Sequence, residues 1–505
     1  MPKIFGSRPR KMLEIPVNQA HLMYRPVAPP ISSILGASFV ISSPSAVSPL
    51  STDAATFALF DQSGLSALAQ RLVEAAKRAG ADAADAVAVR GVSQGVEVRD
   101  GRVEESERSE NDDVGLRVLV GRRQAVVSTN DVGGDGVDRL AERAVAMARV
   151  APDDKFVGLA DPSLLAREFA DLDLLDRQMA STSELERRAC EAEAAALAVK
   201  GVTKSGGASA STGIGGMVLV TSTGFHGSYL RSSHGISMTA ISGEGTGMER
   251  DYDFTSAPHA SDLASPASVG RKAGERTVAR ANPRKVATCK VPVVFDPRVS
   301  GSLVGHLVGA VNGASVARKT SFLKDRLGQQ LFASNIRIID DPLRRRGLRS
   351  QSFDAEGVRV KQLAIIEQGV LTSWLLDCAT ARELGLATTG HAHRGVSSSP
   401  SPGPYNLHLE AGEPTPAELI ADIKQGFYVT DLIGSGVNGV TGDYSRGASG
   451  FWIENGEITY PVSEVTIAGH LLPMFKSLVP ANDLEFRYGV NAPTLRIEGL
   501  TLGGR

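Results

Sequence analysis

Apolar positions along this chain follow a helical period of about 3.6 in some stretches and a strand period of about 2 in others. Residues 65–79 put Leu65, Leu68, Ala69, Leu72, Val73 and Ala76 on one helical face, and Gly80 stops the pattern. Alternation then predicts short strands over 85–90, 95–99 and 102–107, the last two joined at Asp100-Gly101, a hairpin dipeptide. A second hairpin pairs 115–120 with 124–129 through Gly121-Arg122, and a helix over 136–150 closes the unit. After an acidic, irregular stretch at 151–176, a helix over 184–199 carries Ser183 and Glu186 at capping-box spacing. Its apolar face is mostly alanine, which predicts close packing. Glycine-punctuated strands over 215–239 and a helix over 267–281 follow. The piece at 243–247 (GEGTG) lacks a Gly-Lys-Ser/Thr ending and reads as a turn.

The last part is richer in strands. VPVVF at 291–295 is one, 358–366 pairs with 370–376 around Gln368-Gly369, and 452–454 pairs with 457–460 around Asn455-Gly456. Residues 495–502 supply the final strand. The pattern predicts an α+β chain: an N-terminal domain (57–150) with a largely antiparallel sheet, a middle α+β segment (151–285) packed with it, and a strand-rich C-terminal domain (286–505) with a curved sheet or barrel. Residues 1–56 fit neither period. They are rich in Pro and Ser, and the weakly apolar run 31–41 lies too far behind the basic residues for a secretory signal. They read as a disordered or mis-annotated extension.

Composition narrows the classes. Lys and Arg total 54 against 56 Asp and Glu, a formal charge of −2, so no global field favours nucleic acid or an anionic membrane. Three dispersed cysteines suit a reducing, cytoplasmic setting and form no metal-binding CxxC. No run is long enough for a membrane helix.

Candidate chemistry centres on 299–321 (VSGSLVGHLVGAVNGASVARKTS). Leu303, Val304, Leu307, Val308 and Val311 form a helical apolar stripe, while Gly301, Gly305, Gly309, Ala310 and Gly313 crowd the same turns. Glycine costs helix stability, so the cluster predicts close packing on another backbone. His306 has no second histidine a turn away and no carboxylate beside it, both of which a hydrolytic zinc helix needs. It reads as packing or polar lining. His391 and His393 could reach one metal from a strand, but Gly, Ser and Pro around them favour a loop. Arg344, Arg345, Arg346 and Arg349 fit a phosphate or acidic-peptide grip, or a solvated loop. Asp443, Tyr444, Ser445 and Arg446 sit between glycines in a predicted loop. They would line a peptide channel or partner contact, or else an Asp–Arg pair would fix a turn. No Gly-x-Ser-x-Gly elbow with a strand ahead of it occurs.

The segment GFYVTDLIG at 426–434, the run GVNGVTGDYSRGASGFWIENGEITYPV at 436–462 and the ending APTLRIEGLTLGG at 492–504 resemble the TldD/PmbA family (peptidase U62, modulator of DNA gyrase), in its PmbA/TldE branch. In the TldD branch the matching helix carries His-Glu-x-x-x-His, with a cysteine near the C-terminus as a further zinc ligand. Anchored on Gly313 and Thr320-Ser321, the two histidine positions fall on Val304 and Gly309 and the glutamate position on Gly305; residues 482–493 hold no cysteine. The resemblance therefore implies a subunit with no zinc of its own. A TldD-type partner would bring the zinc to a heterodimeric metalloprotease that degrades or matures unfolded or small peptides. A homodimer is one form open to the chain when the partner is absent. His306, Asp443, Tyr444, Ser445 and Arg446 are then peptide- or partner-contacting candidates. Two competing readings stay open: a stand-alone peptidase with an atypical metal at His391 and His393, and a non-enzymatic adaptor in gyrase or antitoxin systems.

Overall fold

The computed structural model describes residues 61–131, 133 and 135–504, and the expected extension at 1–56 lies outside the described residues. The N-terminal half is built from α1 (Ser63–Arg78), β1 (Ala83–Arg99), β2 (Arg102–Val120), β3 (Arg123–Thr129), α2 (Gly136–Val150), α3 (Thr182–Leu197), β4 (Val202–Thr221), β5 (His226–Ser242), β6 (Glu249–Ala257) and α4 (Pro266–Ala279). Its six strands form one antiparallel sheet in the order β3-β2-β1-β4-β5-β6. Asp100 and Gly101 take the positive φ values, 53° and 71°, of the predicted tight turn.

The strands are longer than the sequence pattern predicts: 17 residues in β1 and 19 in β2. Gly91, between two predicted strands, and Gly95 and Gly115, where predicted strands begin, lie inside them. Backbone pairing carries the ladder through glycine, and at Gly115 another segment passes so close that a Cβ would stand 1.9 Å from the Val396 carbonyl oxygen.

One face of the sheet is covered by helices. Ala84, Ala86, Leu116 and Val118 pack with α1 and α2, while Val96, Val98, Ala210 and Ile236 pack with α3 and α4. The alanine face of α3 behaves as its composition predicts: a Cβ on Gly270 of α4 would lie 1.9 Å from the Ala192 carbonyl oxygen. The cap of α3 differs, because Ser181 rather than Ser183 accepts the Glu184 N–H, so the helix starts earlier.

The opposite face, with Val87, Leu219 and Phe225, meets Phe353, Val358 and Cys378 of the C-terminal half. A buried ionic cluster sits at this junction. Asp85, 1% exposed, accepts from Arg117 Nε at 2.8 Å and from Arg394, which arrives from the C-terminal half. Burial alone would raise the Asp85 pKa, but Arg117 and Arg394 together hold it below the usual carboxylate range.

The C-terminal half contains β7 (Cys289–Phe295), α5 (Pro297–Val311), α6 (Gly313–Ala317), β8 (Ile338–Asp340), β9 (Leu363–Glu367), β10 (Val370–Leu371), β11 (Ala392–His393), β12 (Ser401–Pro402), β13 (Leu407–Leu409), β14 (Gln425–Ile433), β15 (Asp443–Glu454), β16 (Glu457–His470), β17 (Val479–Pro480), β18 (Val490–Asn491) and β19 (Leu495–Gly503). The strands β16-β15-β14-β7-β19 close on themselves through a β16–β19 pairing, giving the barrel-like sheet the sequence predicts. A second sheet runs β10-β9-β8-β13-β18. Phe295, Phe427, Phe475 and Leu495 fill the core together with Leu303, Val304, Leu307 and Val311 of α5. Among the described residues no helix is long and apolar enough to cross a membrane.

Candidate functional site

Helix α5 starts at Pro297, two residues ahead of the stretch 299–321 in which the sequence places the helical stripe. Asp296 caps it by accepting the Arg298 N–H at 2.9 Å, and Pro297 occupies the first turn, where its missing N–H costs nothing. Its apolar stripe enters the barrel core. The small residues divide into two groups. Gly301 and Gly313 do meet other backbone, at 2.9 Å from the Val490 oxygen and 2.8 Å from the Leu375 oxygen for an added Cβ. A Cβ on Gly305 or Gly309 meets nothing within 4 Å, so the expected backbone packing does not occur there. These two glycines pave an open strip of helix.

His306 borders that strip. Its ring stands edge-on to Tyr444, with centroids 5.8 Å apart and planes at 74°. Residues 443–446 are not the predicted loop: they begin β15, paired with β16 from Asp443 opposite His470 to Arg446 opposite Ile467. The flanking glycines only shape the approach, as at Gly442 (φ +90°). The period of 2 then separates the four residues. Tyr444 is buried and Arg446 half-buried on one side, while Asp443 and Ser445 are exposed on the other. The expected Asp–Arg pair does not form either. Asp443 accepts from Thr441 Oγ1 at 2.6 Å, and Arg446 donates from Nε and Nη2 to the carbonyls of Ile433 and Leu432, both at 3.3 Å.

Burial, reinforced by the Arg446 charge, pushes the His306 imidazole down to about 4, so the ring is neutral near pH 7. Burial pushes the Tyr444 hydroxyl up to about 12 against a smaller opposing pull from Arg446. Neither His306 Nε2 nor Tyr444 Oη has a hydrogen-bond partner, although both are buried. Ile433, 62% exposed, ends β14, and Val440, 53% exposed, lies within the loop that leads to β15.

The positions that the resemblance assigns to zinc chemistry carry no donor atoms. Val304 is 3% exposed in the barrel core, and Gly305 and Gly309 have no side chain. These residues do not fit a zinc ion. Among the described residues no group of three or more His, Cys, Asp and Glu side chains could hold a metal.

His391 and His393 lie at and beside β11, a short strand paired with β12, rather than in a loop. His391 bonds the Thr389 carbonyl through Nδ1 at 2.8 Å and has Nε2 3.3 Å from Asp340. Both rings lean on Tyr405, at 5.3 and 4.6 Å between centroids. Burial, aided by His391, pushes His393 down to about 4. Three of the four arginines of the cluster are engaged within the chain. Arg345 and Arg346 bind Asp173, Arg346 also binds Asp262, and Arg344 lies over the Phe486 ring at 3.3 Å. Sequence reasoning missed Asp354 and Glu356, both buried at the interdomain junction, where burial raises each carboxyl. Their spacing carries no signal, because Arg117, which faces Glu356, is remote in sequence.

Comparison with known proteins agrees with this fold throughout. The PmbA/TldA metallopeptidase family matches as domain 1 over residues 84–148, as the central domain over 178–281 and as the C-terminal domain over 288–504. The chain is 39% identical over 412 residues to the metalloprotease PmbA of Escherichia coli O157:H7, covering 81% of this chain and 90% of the relative. A crystal structure from Bacteroides thetaiotaomicron, of a candidate modulator of DNA gyrase, superposes with a TM-score of 0.80 at 27% identity, covering 87% of this chain and 98% of the other. The crystal structure of TldE from Thermococcus kodakarensis shares the fold, with a TM-score of 0.78 at 18% identity over 86% of this chain and 100% of that one. With all three domain types matched in order and a relative aligned over most of its length, the chain belongs to the PmbA/TldD family.

Proposed function

We propose that this chain is the PmbA/TldE-type subunit of a two-component metalloprotease. In this reading a TldD-type subunit holds the zinc, and the present chain shapes the chamber and receives unfolded or small peptides. The observation that carries it is the chemistry of α5: valine and two glycines stand where a hydrolytic relative would need two ligands and a proton acceptor. Carbon and hydrogen supply no lone pair to a cation. What the helix offers instead is an open strip of backbone flanked by His306, Tyr444 and Arg446, a surface suited to contact with an extended chain.

The test is reconstitution. The purified chain is mixed with a TldD-type protein from the same cells and assayed on unfolded peptides. Co-elution at one-to-one ratio, with chelator-sensitive cleavage only in the mixture, supports the assignment. Cleavage by this chain alone, or recovery with unrelated partners only, counts against it.

A further inference from the structure

We propose that His306, Tyr444 and Arg446 form a receptor for a carboxylate, the C-terminal carboxylate of a peptide lying along α5. This rests on the reading of the chain as a peptide-handling subunit and names what one end of its ligand looks like.

Three observations converge. First, Tyr444 is 1% exposed and its hydroxyl is unpartnered; the Nε2 atom of His306, in the adjoining ring, is unpartnered as well. Buried polar groups nearly always find partners, and each orphan carries a desolvation cost that a bound acceptor would relieve. Second, Arg446 follows Tyr444 by two residues, on the same side of β15, and its charge reaches both groups. It forms no ion pair among the described residues and holds only two long bonds to carbonyl oxygens, which a carboxylate would outcompete. Third, Gly305 and Gly309 leave the helix surface open beside these groups, so a peptide backbone can approach without meeting a Cβ.

The charge count selects the ligand. One guanidinium and two neutral groups balance a single negative charge, whereas a phosphate dianion would leave one negative charge in a desolvated site. The Tyr444 hydroxyl and the Nε2–H tautomer of His306 can each donate to one carboxylate oxygen, with Arg446 supplying the counter-charge. The Ile433 side chain, 62% exposed and on the residue whose carbonyl accepts from Arg446, favours an apolar residue next to the terminus.

The experiment measures binding to the isolated full chain by calorimetry, with the resonances of the His306 ring as a local readout. The probes are an N-acetylated apolar tripeptide with a free C-terminus, the same peptide amidated, an amidated peptide with an internal Glu, and acetate. The free acid should bind at least about tenfold more tightly than either amide and should shift the His306 ring. Acetate should compete weakly at the same site. Tyr444→Phe, which preserves the shape, and Arg446→Gln should each remove the preference for the free acid. Equal binding of acid and amide, preference for the internal Glu, binding of acetate alone, unchanged preference in both variants, or no binding of any probe would each overturn the proposal. None of these outcomes bears on zinc content or on co-elution with a TldD-type chain, so the subunit assignment stands or falls separately.

Discussion

The rings of His306 and Tyr444 touch edge to face across the boundary between α5 and β15, yet each leaves its polar atom without a partner. The sequence marks the helix as the centre of the candidate chemistry and reads the strand segment as a loop. Their contact brings unsatisfied polarity beside open helix backbone.

Acid should destabilise the fold through its histidines. His306 and His393 each fall from an ordinary value of 6.5 to about 4. The unfolded chain therefore binds more protons between those values, and stability is full above about pH 6.5 and declines as pH falls toward 4. For the more deeply buried His393, protonation should cost on the order of 2 kcal/mol by pH 5. Urea unfolding at pH 7.5 and pH 5 measures the loss, and His393→Gln should shrink the difference.

The glycines should divide by position. Gly305→Ala and Gly309→Ala add a methyl group to open space on a helix and should leave stability unchanged or raise it by about 0.5–1 kcal/mol. Gly115→Ala drives a Cβ to 1.9 Å from the Val396 oxygen and should cost at least about 2 kcal/mol, parting the β11–β12 segment from the N-terminal sheet. Thermal unfolding of the three variants distinguishes the classes.

Asp85 should behave as the electrostatic pin between the two halves. Asp85→Ala leaves Arg117 and Arg394 buried without their shared carboxylate, at a cost of about 3–5 kcal/mol. Protease digestion should then release the halves more readily. If proteolysis and unfolding match the wild type, the pin is not structural.

Much of this was legible in the chain. The tight turns at Asp100-Gly101, Gln368-Gly369 and Asn455-Gly456 adopt positive φ values, and the alanine face of α3 packs as closely as its small side chains allow. The barrel was visible as strands, though its closure by a β16–β19 pairing was not, because that contact joins segments whose register no local pattern encodes. The site was legible only in parts. His306, Tyr444 and Arg446 stood out one by one, but glycines around 443–446 masked a strand that ladder hydrogen bonds sustain. Gly305 and Gly309 looked identical in sequence to Gly301 and Gly313, and only the neighbouring chain decides which of them meets backbone. The cluster of Asp85, Arg117 and Arg394 escaped notice because its members lie far apart in sequence.

The most direct test of the central claim is a metal analysis of the isolated, full-length chain after purification without chelators. The account predicts no stoichiometric zinc and no effect of added chelator on folding, because Val304, Gly305 and Gly309 supply no ligand. Zinc near one ion per chain, lost on chelation together with peptidase activity of the lone chain, would contradict it.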